Sequence, residues 1–277
     1  MSKADEVYKK IVHDIVEKGT WDKDQQVRTK WADGTPAYTK SLVTGQMSFD
    51  GTEVPILTTK KVAWKTAIHE LLWFYVHRTS DCTYLDENNV KIWKEWTSPQ
   101  NNIGKAYGYQ LGKPIMIKGK ITNQVHHLID ELKNNPASRR NVISLWNIDD
   151  LEQMQLYPCV WSNQWIVQNG ALHLVVQVRS NDMALGNPFN VFQYYVLQRM
   201  VAQVTGYELG TLTFNINNPH IYERHIEPLQ EQIERTPFPA PTLWINPDIQ
   251  HFDDFTIDDF QLIEYQHHPS IKMEVAI

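Results

Sequence analysis

The stretch "WSNQWIVQNGALHLVVQVRSND", residues 161–182, decides the fold. Its two halves, 161–168 and 171 onward, are dense in β-branched and aromatic residues. Between them stands Asn169-Gly170, a pair suited to the two positive φ angles of a tight hairpin turn. Two adjacent antiparallel strands are expected. Working outward, "NVISLWN" (141–147) and "GTLTFNIN" (210–217) add strands, and "PFNVFQYYVLQRMVAQVTGY" (188–207) is a long apolar helix with Pro188 near its first turn. Towards the N-terminus, "VAWKTAIHELLWFYVHR" (62–78) is apolar on all sides of a helical wheel and must be buried. "ADEVYKKIVHDIVEKG" (4–19) and "TNQVHHLIDELKNNP" (122–136) are amphipathic helices, the first closed by Gly19 as a C′ residue, the second stopped by Asn-Asn-Pro. Strands are expected at "YTKSLVTGQMSFD" (38–50), "EVPILTT" (53–59) and "IKMEVAI" (271–277). Helices and strands alternate without a strict βαβ order, so the fold class is mixed α+β: one large mixed sheet packed with helices, in a single domain over 1–277.

A formal charge of -6, from 26 Lys+Arg against 32 Asp+Glu, argues against a general electrostatic grip on nucleic acid or an anionic membrane. RNA binding is not indicated, and any anionic ligand must be held by local basic groups. Two cysteines, Cys82 and Cys159, exclude a disulfide framework and fit a reducing compartment. With no secretory leader or membrane-length apolar run in the sequence, a cytoplasmic setting is expected.

Cys159, in "LYPCVW" (156–161), lies at a strand entrance where Pro158 stiffens the backbone. A free cysteine is ordinarily a small buried hydrophobe, and that reading holds for Cys82. A thiol becomes a nucleophile when nearby positive charge favours thiolate. Arginine is scarce here, so Arg28, Arg139, Arg140 and Arg179 stand out. Taken one at a time they read as surface ion pairs, but together with Ser180 they would form a phosphate cup that also lowers the thiol's pKa. Glu70 is a carboxyl inside the all-apolar helix, where burial moves it toward the range useful for proton transfer; a buried structural ion pair is the competing reading. "HELLW" lacks the second histidine of a zinc motif, because Trp73 stands there, and the pairs His126-His127 and His267-His268 read as solvated surface, so no metal is expected. Asn190 lies inside a first helical turn, past the position where a cap is needed, so its amide is available to read the edge of a base.

In order along the chain, "ILTTKK", "HELLWF", "NVKIWKEW", "AYGYQL", "SRR", "PCVW", "RSNDMALGNPFNVF", "HIYERH" and the closing "VAI" resemble the thymidylate synthase family. The resemblance implies reductive methylation of deoxyuridylate (dUMP) by 5,10-methylenetetrahydrofolate, with that folate as co-substrate and no metal or nicotinamide. It implies that Cys159 adds to C6 of the uracil, that Arg28, Arg179 and Ser180 hold the phosphate, and that Arg139 and Arg140 come from the other subunit of a homodimer. It also implies that Asn190 recognises uracil, that His220 and Tyr222 hold the sugar hydroxyl, and that Glu70 moves protons with Tyr107. Trp93, Trp96, Asp182, Leu185, Gly186 and Phe189 would line the folate site, Asp182 also bordering the nucleotide. Lys60 would meet the glutamate tail and Ile277 would close a lid.

Three positions depart from the family pattern. Val160 stands where histidine is frequent, Asn181 where cysteine is frequent, and Asn218-Pro219 replaces part of an Asp-x-His pattern. The change at Asn181 is expected to alter only local packing. Two rivals share the basic cup: a pyrimidine hydroxymethylase of the same fold, disfavoured by Asn190 because a cytosine reader would use a carboxylate, and a non-catalytic nucleotide- or RNA-binding regulator, which has no need of Cys159 or Glu70. A cysteine hydrolase lacks a supporting histidine and acid near Cys159.

Overall fold

The computed structural model describes residues 2–277. The expected hairpin is its centre: strands Val160–Gln168 and Ala171–Val178 pair antiparallel, and Asn169 and Gly170 take φ of 52° and 78° in the turn. Asparagine and glycine tolerate that left-handed backbone, which is why the register locks there. Ala171–Val178 pairs on its other side with Glu208–Asn217, in parallel, and that strand pairs antiparallel with Thr44–Phe49. Val142–Ser144 completes five strands beyond Val160–Gln168. A shift of register between Val160 and Ser162 marks a bulge two residues from Cys159. Such a bulge bends the strand and re-aims the residues at its mouth.

One face of the sheet carries Leu172, Leu174, Val176, Leu212, Phe214 and Ile216, all at or near zero exposure. Helix Gly186–Thr205 packs against it, and helix Trp64–Leu72 packs on that helix in turn. The opposite face presents His173, Val175, Gln177, Thr211, Thr213 and Asn215, half-buried, with Gln46 and Ser48 exposed. A smaller sheet of Thr20–Trp21, Thr39–Ser41, Pro219–Tyr222 and Asn181–Asp182 stands beside the large one. It brings His220 opposite Asp182.

The buried helix runs on from Leu72 into a π-turn, Trp73–His77, and stops at Arg78 in the left-handed region, with Glu70 held among Ile68, Leu71, Leu72 and Trp73. Two expectations fail. Residues 53–59 form no strand: Pro55 removes a donor, and the buried Asp5 carboxylate accepts from the backbone and hydroxyl groups of Thr58 and Thr59 at 2.7–3.2 Å, which replaces a sheet ladder. Residues 271–277 also lie outside any strand and are tied by a few specific contacts described below. Gly19 does close helix Lys3–Lys18, in extended backbone with φ of -66°. Glycine is needed there for closeness, because a Cβ would stand 2.4 Å from the Ile15 carbonyl oxygen.

Candidate active site

Cys159 sits at the mouth of its strand in a loop clamped from two sides. Arg179 Nε and Nη2 donate to the carbonyls of Pro158 and Tyr157, each at 2.9 Å, and its backbone N–H donates to the Cys159 carbonyl at 2.9 Å. From the other side the Cys159 N–H donates to the Tyr107 hydroxyl at 3.1 Å. The sulfur is therefore positioned by backbone bonds that leave the thiol itself free. Burial pushes the thiol's pKa up; the Arg179 charge opposes that, and Asp182 adds to it. The expectation of a thiol lowered by several guanidinium groups is not met within one chain, because only Arg179 acts on it.

Tyr107 is the joint between the thiol and the buried acid. Its ring stacks on Phe74 at 4.5 Å between centroids and meets the edge of Trp93 at 5.3 Å. Its backbone takes φ of 41°, outside the comfort of a bulky residue and immediately ahead of helix Gly108–Gly112. Close packing at Gly108 enforces this turn: a Cβ there would stand 2.2 Å from the Thr79 carbonyl oxygen. Burial, and the charge that Cys159 carries once it is a thiolate, hold the Tyr107 phenol well above its ordinary value. Trp93 Nε1 donates to one Glu70 oxygen at 2.5 Å and Gln193 Nε2 to the other at 2.6 Å. Burial raises the Glu70 pKa and these two bonds oppose the rise. The competing ion-pair reading of Glu70 is set aside, since its partners are an indole and an amide rather than a cation.

Helix Gly186–Thr205 carries Asn190 and, one turn on, Gln193. Asn190 Oδ1 accepts from Asn181 Nδ2 at 3.1 Å, and Asn181 Oδ1 accepts from Asn187 Nδ2 at 2.7 Å. Asp182 Oδ1 accepts the backbone N–H groups of Ala184 and Leu185 and so turns the chain into the helix. In the small sheet, the Asn218 carbonyl lies 3.0 Å from His220 Nδ1. A carbonyl only accepts, so Nδ1 bears a proton and Nε2 is the ring nitrogen left free of that bond. Asn218 itself takes φ of 50°, and its carbonyl also receives the Asn181 N–H, so the Asn218-Pro219 departure is built into the orientation of His220. Tyr222 packs edge-on against His220 at 5.3 Å, and burial pushes its phenol up to about 12.

Ser180 follows Arg179 at the strand exit, and Arg28 is exposed in the loop before Lys30. Among the described residues neither Arg28, Arg139 nor Arg140 forms an ion pair within the chain. Arg139 and Arg140 are not brought to Cys159 of their own chain: Arg139 is fixed by its carbonyl to Gln164 Nε2, five residues and about 17 Å along the strand. Trp93 backs Glu70 and touches Trp96 edge-on at 5.9 Å, while Leu185, Gly186 and Phe189 are half-buried around the helix start. Lys60 is buried; its ammonium donates to the Ala184 carbonyl at 2.5 Å, and desolvation brings its pKa down to about 8. Ile277 exchanges two backbone hydrogen bonds with Lys30, at 2.7 and 2.9 Å. Glu274 accepts from Ala32 N–H and Arg224 Nη1, and its carbonyl lies 2.7 Å from His225 Nε2, so the closing segment is strapped to the loop that carries Arg28. Among the described residues, no group of three or more His, Cys, Asp or Glu is placed to hold a metal, and no helix is long and apolar enough to cross a membrane.

The residues that sequence reasoning missed are Gln193, Phe74, Asn187 and the contact made by Asn181. Helical spacing carried a signal for two of them, since Gln193 is three past Asn190 and Phe74 four past Glu70. Nothing in the sequence marked the amide pair.

A free thiol next to an arginine, a desolvated carboxyl held by an indole that packs against the phenol at Cys159, and an amide at a helix start are the kind of groups covalent catalysis on a polar ring uses. A family model described as thymidylate synthase matches residues 6–277. Thymidylate synthases of Bacillus mojavensis and of Bacillus phage phi3T are each 55% identical to the chain over 279 residues, covering 100% of both partners. The solved structure of the thermostable thymidylate synthase A from Bacillus subtilis, 55% identical, superposes with a TM-score of 0.95 over 99% of each chain. The chain belongs to the thymidylate synthase family.

Proposed function

We propose that the protein converts dUMP to thymidylate, with 5,10-methylenetetrahydrofolate supplying both the one-carbon unit and the hydride and leaving as dihydrofolate. Cys159 adds through sulfur to C6 of the uracil, and C5, now an enolate carbon, attacks the one-carbon unit. Loss of the C5 proton, hydride transfer from the folate and departure of the thiolate complete the turnover. Glu70 and Tyr107 manage the protons at the base, and Asn190 faces the base edge. The observation that carries this reading is the continuous link from the Cys159 N–H through Tyr107 and Trp93 to the raised carboxyl of Glu70.

The phosphate site in this reading combines Arg28, Arg179 and Ser180 with Arg139 and Arg140 of a second copy in a homodimer. Support comes from Arg139 and Arg140, exposed, without ion pairs among the described residues of their own chain and set on backbone beside Gln164, about 17 Å along the strand from Cys159, and from the polar sheet face of His173, Val175, Gln177, Thr211, Thr213 and Asn215, which suits burial against its own copy. Extra positive charge delivered across the interface is what the raised thiol requires. Trp93, Trp96, Asp182, Leu185, Gly186 and Phe189 border the folate, with Ile277 closing over it. For Lys60 to reach a glutamate tail its ammonium must leave the Ala184 carbonyl. The test is incubation with 5-fluorodeoxyuridylate and methylenetetrahydrofolate followed by peptide mapping: a covalent ternary adduct on Cys159 is expected, and attachment elsewhere overturns the assignment.

A further inference from the structure

Three carboxamides run in line and end at Asn190: Asn187 donates to Asn181, and Asn181 donates to Asn190. Asn181 and Asn187 are 2% and 1% exposed, so water does not replace either bond. A carboxamide has a donor end and an acceptor end, so each bond fixes which way the next amide faces. The far end sets the direction. Asn187 Nδ2 lies 3.4 Å from Met47 Sδ, a weak acceptor, while Asn187 Oδ1 has no hydrogen-bond partner. Turned over alone, Asn187 would lose both of its bonds and set oxygen against the Asn181 oxygen; turned over together, the three amides would keep their mutual bonds but set the Asn187 oxygen against Met47 Sδ, two acceptors with no proton between them. Gly186 roofs the Asn181–Asn190 bond, since a Cβ there would lie 3.8 Å from Asn181 Nδ2 and 3.9 Å from Asn190 Oδ1.

We propose that Asn181 and Asn187 are positioning residues for pyrimidine choice: by holding the Asn190 oxygen on their side, they leave its amine to meet a base carbonyl. The proposal rests on Asn190 being the base-facing residue. Held this way, Asn190 donates to O4 of uracil, and the second lone pair of its oxygen accepts the ring N3–H. Cytosine presents the reverse, an acceptor at N3 and an amine at C4. Reading it requires Asn190 to turn, and its amine then faces the Asn181 amine, two donors in a dry site. Asn181 therefore acts beyond local packing, contrary to the sequence-based expectation.

The experiment measures dissociation constants for dUMP, dCMP and deoxyribose 5-phosphate with wild type, Asn181→Ala, Asn181→Asp, Asn187→Leu and Asn190→Ala. Asn181→Ala is expected to cut the dUMP preference about 10- to 100-fold, with deoxyribose 5-phosphate binding unchanged. Asn181→Asp, an acceptor in place of a donor, moves the preference furthest toward dCMP. Asn187→Leu, which keeps the side-chain volume, gives a smaller change of the same sign and carries the prediction if Asn181→Ala does not fold. Should both nucleotides weaken equally in the Asn181 and Asn187 variants while Asn190→Ala alone erases the preference, the amide chain is structural and the proposal falls. If Asn190→Ala leaves the preference intact, the base-facing role of Asn190 fails, and the positioning role with it.

Discussion

The sulfur of Cys159 is held by what surrounds its backbone, and that division of labour makes its variants informative. Cys159→Ser keeps the N–H to Tyr107 and the carbonyl to Arg179, so binding of dUMP is expected within a few-fold of wild type while turnover falls by roughly three orders of magnitude or more; equilibrium binding and a spectrophotometric assay check both. Glu70 trades stability for reactivity. Its folded-state pKa lies above the ordinary 4.5, so the folded chain keeps a proton that the unfolded chain has lost. That contribution is complete below about pH 4.5 and disappears as pH rises through the raised value. Glu70→Gln removes the titrating group but sets an amide N–H against a donor, Trp93 Nε1 or Gln193 Nε2: the dependence of the melting temperature on pH flattens, while kcat drops about 10²- to 10⁴-fold. Lys60 shows the opposite sign. With its pKa down at about 8 against 10.5 unfolded, the folded chain sheds its proton first, and stability from this group grows as pH climbs from 8 toward 10.5. Lys60→Met flattens that rise in a series of thermal melts.

At the scale of elements, local chemistry was legible wherever a strong backbone rule acts alone. Asn169-Gly170 announced its hairpin, and the all-apolar run around Glu70 announced a buried helix. Gly170→Ala, which forces a Cβ into φ of 78° with open space around it, is expected to cost about 1–2 kcal/mol in urea unfolding, all of it backbone strain. The misread segments share a cause: their backbone groups are satisfied by distant side chains that no short window reveals. Residues 53–59 look like a strand because they are apolar, yet Asp5, some fifty positions away, takes the bonds a neighbouring strand would have made. Asp5→Ala strips that segment of its acceptor and is expected to cost roughly 3 kcal/mol or more, seen as a lower urea midpoint. For the site the pattern repeats. Cys159, Glu70 and Asn190 were visible as chemistry out of place, whereas Phe74, Gln193 and Asn187 are ordinary residues until the two long helices and the small sheet bring them against those three.

For the molecule as a whole, the separation of Arg139 and Arg140 from their own Cys159 carries the assembly prediction. Arg139→Ala and Cys159→Ser homodimers are each expected to be nearly inactive. After denaturation and refolding of a 1:1 mixture, about one quarter of wild-type activity should return, because each hybrid dimer has one site with both wild-type groups. Failure to recover activity, with hybrids confirmed by native mass spectrometry, would place each arginine pair in its own subunit's site. The long strand from Val160 to Gln168 has a practical corollary of its own. It separates Cys159 from the Asn169-Gly170 turn by about 30 Å. Asparagine is a thermolabile residue, here followed by a glycine that has no side chain and at which even an added Cβ would meet nothing within 4 Å. Ageing stocks are expected to accumulate an acidic isoform, one negative charge richer by isoelectric focusing, whose specific activity matches that of fresh protein.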